Sequence, residues 1–118
     1  MNISVGDMAD RYAICTLKLQ RAKIEECIEE LDALDYGLRS YRPAIDFNLG
    51  RLYEINGSIW DLESDIRKGK EGELGLEEVG RRALLIRNFN NKRVGVKNEI
   101  NSQFKSGFLE VKKDHASE

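Results

Sequence analysis

Residues 4–36 read SVGDMADRYAICTLKLQRAKIEECIEELDALDY; no proline interrupts the chain before Pro43, and no glycine lies between Gly6 and Gly37. Ser4 followed by Asp7 is a capping arrangement, because a hydroxyl and a carboxylate at this spacing can accept the backbone N–H groups that a first helical turn leaves free. Ile14, Leu17, Ile24, Ile28 and Leu31 recur at spacings of three, four and their sums, and Met8, Tyr12, Cys15, Leu19 and Ala22 widen the same face. The pattern predicts one long helix that stops at Tyr36-Gly37.

Leu38-Arg39-Ser40-Tyr41-Arg42 reads as a connection, and Pro43 suits the first turn of a second helix, where its missing N–H has no partner to lose. Ile45, Leu49, Leu52, Ile55, Ile59, Leu62 and Ile66 form that helix's apolar stripe, up to the cations Arg67-Lys68. Gly50 and Gly57 weaken it by up to about 1 kcal/mol each and so point to close packing or a bend. Gly69-Lys70-Glu71-Gly72-Glu73-Leu74-Gly75 is the clearest break and reads as an exposed connection. A third helix is expected from about Leu76, with Glu77 and Glu78 in its first turn, to about Phe104; Val79, Ala83, Ile86, Val94, Ile100 and Phe104 keep its period. No strand-like alternation and no internal repeat is visible. The expected fold is all-α: an elongated antiparallel bundle of three long helices over residues 1–107, followed by a polar tail at 108–118. A rod this thin has little interior per residue, so a homodimer that completes a four- or six-helix core is expected.

Composition sets the function classes. The chain has 118 residues, 41% of them hydrophobic and 34% charged, too apolar for a disordered chain and too charged for a membrane protein. No apolar run approaches the roughly 18 residues of a membrane span, and the N-terminus lacks the basic and apolar regions of a signal peptide. A cytoplasmic protein without membrane contact is expected. With 19 basic and 21 acidic residues the net charge is −2, which gives no general attraction to nucleic acid. The single histidine, His115, lies in the tail, which argues against His-based catalytic or metal sites, and no cofactor is expected. Cys15 and Cys27, twelve residues apart, would stand about 18 Å from each other on one straight helix and could not pair there.

Polar residues interrupt each apolar stripe. Asp10 and Arg21 fall in register with the first helix's inward positions, with Lys18 at the border; Asn56 and Glu63 do so on the second; Asn90, Arg93 and Lys97 do so on the third. An unpaired buried polar group costs roughly 1–3 kcal/mol, and a charge far more, so these residues must satisfy each other or a ligand. Two arrangements meet that demand. Glu63 can pair with Arg93 or Lys97, and Asp10 with Arg21, as a structural network that fixes helix register. Alternatively, four cations against two acids leave a surplus that a phosphate- or carboxylate-bearing ligand would neutralise, in a site of Lys18, Arg21, Asn56, Glu63, Asn90, Arg93 and Lys97.

Three weaker signals complete the reading. Asp61 and Asp65, one turn apart, have the spacing to share a hard divalent cation. The 69–75 glycines superficially resemble a phosphate loop but lack its preceding strand and its Gly-Lys-Ser/Thr ending. Glu25-Glu26-x-x-Glu29 resembles the first metal-binding element of all-α nucleotide pyrophosphohydrolases, whose later Glu-x-x-Asp is missing from the second helix; a metal-dependent enzyme on a nucleotide or nucleotide sugar is the alternative it implies. The cationic interior is also generally similar to that of helical chorismate mutases, without a matching motif order.

Three segments taken together, Asp10-Arg11-x-x-Ile14-x-x-Leu17-Lys18-x-x-Arg21, Asn56-x-x-x-Trp60-Asp61-Leu62-Glu63-x-Asp65-Ile66-Arg67 and Asn90-x-x-Arg93-x-x-x-Lys97-x-x-Ile100-Asn101, resemble a family of small all-α bacterial and phage proteins of unknown function, some encoded near surface-polysaccharide genes. The resemblance covers residues 4–105. Arg11 stands where that family has lysine and Ser64 where it has an acid. It implies the helical fold and no activity, and it singles out many of the same inward polar residues.

Overall fold

The computed structural model describes residues 3–105. Most of these are helical, without a strand among them. Helix α1 spans Val5–Leu17 and runs into a π-helical turn, Lys18–Ala22; α2 spans Cys27–Leu38, α3 Asp46–Arg67, α4 the single turn Glu71–Leu74 and α5 Leu76–Phe104. The expected tail at 108–118, with His115, lies outside the described residues. No described helix is long and apolar enough to cross a membrane.

The capping expectation is met: Ser4 Oγ accepts the Asp7 N–H at 3.0 Å. The single long first helix is not. After the π turn, Lys23 takes a left-handed conformation (φ 56°, ψ 37°), which ends a helix, and α2 folds back along α1. The antiparallel packing is fixed by a close approach at one end, where a β-carbon on Gly37 would stand 2.9 Å from Met8 Sδ, and by Cys15 lying beside Cys27 at the other. The separation of about 18 Å expected for the cysteines held only for an unbroken helix. The break also changes the helical phase, so Ile24 (36% exposed) and Ile28 (48%), read as core, face outward, while Cys27 and Leu34 are buried.

The remaining directions follow from side-chain pairs. Asp10 meets Asn56 and Arg21 meets Asp61, so α1 and α3 run the same way. Gly6 meets Asn101, Asp7 meets Lys97 and Asp10 meets Arg93, so α5 runs against α1. The architecture is therefore four main helices running up, down, up and down, where three were expected, with α1 touching all the others. The additional helix supplies the return path that lets α1 and α3 lie parallel.

The main core gathers Val5, Ala9, Ala13, Leu38, Ile45, Leu49, Leu52, Val96 and Ile100, and Tyr41 and Phe104 close one end in an edge-to-face contact at 4.9 Å. A second, smaller core holds Cys15, Cys27 and Leu34. Beyond these cores α3 and α5 continue as a two-helix arm. No described residue from Trp60 to Gly95 is fully buried. Trp60 is half-buried under the Arg67 guanidinium, 4.8 Å from its ring centre. At the arm's tip Gly69 (φ 77°) and Gly75 (φ 84°) adopt backbone angles that side chains resist, which explains why glycine flanks α4.

Candidate functional site

Where α1, α3 and α5 meet, three polar side chains interlock. Asn56, buried on α3, donates from Nδ2 to Asp10 Oδ1 at 2.9 Å and to the Leu52 carbonyl at 3.0 Å, while its Oδ1 accepts from Arg93 Nη1 at 3.3 Å. Asp10 is only 7% exposed. Its second oxygen stands 3.8 Å from Arg93 Nε, close enough to attract but too far to accept a hydrogen bond. Arg93 Nε is accordingly buried without a hydrogen-bond partner. The outer part of the Arg93 side chain reaches solvent, at 30% relative exposure.

One turn along α5, Lys97 Nζ binds Asp7 Oδ1 at 2.9 Å. Burial alone would raise the Asp7 carboxyl, but the hydrogen bond and charge of Lys97, helped by Ser4 and by the charge of Arg11, outweigh it and hold the group below its ordinary value. A further turn on, Asn101 Oδ1 accepts the Gly6 N–H at 2.8 Å, and the two helices touch there because Gly6 has no side chain.

The predicted site residues therefore separate. Asn56 and Arg93 come together, with Lys97 a turn away. Arg21, on the π turn, reaches Asp61 Oδ1 at 2.6 Å and the Gly57 carbonyl at 3.4 Å, and it passes directly over Gly57, whose missing side chain makes room. The close packing inferred from Gly57 is thus present, while a β-carbon at Gly50 would meet nothing. The expected pair of Arg21 with Asp10 does not form: the two lie eleven residues apart on one helical run, about 16 Å along its axis, and Arg21 reaches Asp61 on α3 instead. Glu63 pairs with Arg67 at 2.9 Å, one turn away on its own helix, and with neither Arg93 nor Lys97. Lys18 and Asn90 are half-buried, and no side-chain partner for either is found among the described residues.

The carboxylates that suggested a metal are occupied differently. Asp61 takes Arg21, and Asp65 lies 3.7 Å from Arg82 Nη1. Glu25, Glu26 and Glu29 are exposed around the start of α2. Among the described residues no three His, Cys, Asp or Glu side chains are grouped so as to hold a metal ion. The buried Cys15 thiol is pushed up to about 12, first by burial and then by the neighbouring Glu30 and Cys27, which leaves almost no thiolate for nucleophilic chemistry at neutral pH.

Sequence reasoning did not include Asp7 and Asn101 in the site, although a signal existed. The inward series Asn90, Arg93, Lys97 extends by one turn to Asn101, and Asp7 lies one turn before the Asp10–Arg11 step on α1. No family model matches the chain, and no curated protein or solved structure is significantly similar to it.

Proposed function

We propose that the protein is a small binding module that takes up a phosphate- or carboxylate-bearing ligand beside Arg93, at the α1/α3/α5 junction. The observation that carries this reading is the incomplete satisfaction of Arg93: its guanidinium donates one long hydrogen bond to a neutral amide, and its Nε is buried without an acceptor. A guanidinium offers a planar fork of donors that matches an oxyanion, and its exposed edge gives a ligand a route to it. At the junction itself Arg93 and Lys97 are matched by Asp10 and Asp7, so the reading rests on the geometry of the Arg93 guanidinium and not on a surplus of charge.

A second reading is favoured by the Asp10–Asn56 bond, which joins α1 to α3 inside the bundle. In that reading the network only fixes the register of the helices, as buried polar groups do in some bundles, and the protein is a structural or adaptor element. The alternative of a metal-dependent nucleotide or nucleotide-sugar enzyme has less support, since Asp61 and Asp65 are engaged by arginines.

Thermal melts of the parent, Arg93→Met, Asp10→Leu and the double variant, each with and without inorganic phosphate and citrate, separate the two readings. For a ligand site, phosphate or citrate raises the parent's melting temperature, and Arg93→Met abolishes that rise with little loss of intrinsic stability. For a structural network, Arg93→Met leaves Asp10 buried and unpaired and costs roughly 3–5 kcal/mol, and the double variant recovers most of it. That second pattern, with no response of the parent to either anion, would end the ligand reading.

A further inference from the structure

Helix α5 presents to solvent a face that neither α1 nor α3 covers. Leu76 (92% exposed), Gly80, Leu84 (55%), Arg87, Asn91 and Val94 (49%) follow one another at spacings of three and four, with Ala83 beside Leu84, and all are exposed. They therefore form one continuous stripe along the arm. A β-carbon on Gly80, or on Gly95 at the stripe's border, would meet nothing within 4 Å, so the backbone is open to close approach by another helix. Along one flank lie the exposed Glu77, Arg81, Asn88 and Lys92, again at helical spacing.

We propose that this stripe is the contact between two copies of the chain, packed as an antiparallel pair of α5 helices about a two-fold axis near residues 84 and 85. The pattern along α5 argues for a second copy as the occupant. Reversed against itself about that axis, the helix brings Leu76 within one residue of the level of Val94 and Gly80 within two of Asn91, so the larger apolar side chains lie at the two ends of the seam with Leu84 near its centre. On the flank, Glu77 then faces Lys92 and Arg81 faces Asn88, and the symmetry makes each contact twice. The arm also needs such a neighbour: two helices alone bury little, and no described residue between Ile59 and Val96 is fully buried.

Light scattering and sedimentation of the full chain test the proposal. At micromolar concentration the parent is expected near twice 13.5 kDa. Leu84→Glu, at an exposed position, is expected to keep the helical circular dichroism of the parent and to sediment as a monomer. Glu77→Lys places like charges together twice and is expected to weaken the dimer by about tenfold, more at low salt than at high, and adding Lys92→Glu is expected to restore it. Three results would overturn the proposal: a monomeric parent, a dimer indifferent to Leu84→Glu, or a failure of the exchanged charges to restore what Glu77→Lys removes.

Discussion

A β-carbon on Gly6 would stand 2.6 Å from the Lys97 carbonyl oxygen and 2.9 Å from Asn101 Oδ1, and neither the helix backbone nor a hydrogen-bonded amide can give way cheaply. Gly6→Ala is therefore expected to cost about 1–3 kcal/mol in urea or thermal unfolding, as overpacking does elsewhere, whereas Gly50→Ala, with open space around it, is expected to be neutral or stabilising. Asp7 gives a pH signature. Its carboxyl is held below the ordinary aspartate range, so the folded protein releases this proton more readily than the unfolded chain does. The resulting stabilisation is fully present above pH 4 and disappears as the pH falls through the folded value. Asp7→Asn is thus expected to be less stable than the parent at neutral pH, with the difference shrinking below pH 4 in melts across that range. Glu78, lowered to about 2 by its hydrogen bonds to Arg81 and Arg82, follows the same sign in the first turn of α5, where it is half-buried.

Among the elements, the α1–α2 reversal is the one whose sequence signal was faintest. Lys23 adopts φ 56° without the freedom of a glycine, so Lys23→Gly is expected to stabilise the hairpin by up to about 1 kcal/mol, measured by urea unfolding, while in an unbroken helix the same change would cost about that much. The sign alone distinguishes the two structures. The long third helix, in contrast, was legible to the residue: Leu76 to Phe104 carries the expected period, with acids in the first turn. Its burial was not. Of the stripe Val79, Ala83, Ile86, Val94, Ile100 and Phe104, only Ile100 is fully buried, because α1 is too short to cover α5 beyond its C-terminal third.

On the scale of the whole molecule, stability is concentrated where four helices overlap and is low in the two-helix arm. Amide exchange is expected to be slow at buried Ala9, Leu52 and Ile100 and fast through the arm, and limited proteolysis is expected to cut first at residues 69–75; initial cleavage within 46–59 would contradict the core assignment. The amino-acid sequence by itself determined that the chain is all-α, where α3 and α5 lie within a few residues, that the 69–75 segment is a break, and that Asn56 and Arg93 point inward, because helical period, caps and glycine act over one or two turns. Only the tertiary structure decided the rest. The break at Lys23 leaves no glycine or proline behind, and it alone sets four helices in place of three, brings the free thiols of Cys15 and Cys27 side by side and turns Ile24 and Ile28 outward. The choice of ionic partners, Arg21 with Asp61, Lys97 with Asp7 and Glu63 with Arg67, depends on the level at which each helix passes its neighbours, and helical period specifies a face without specifying that level.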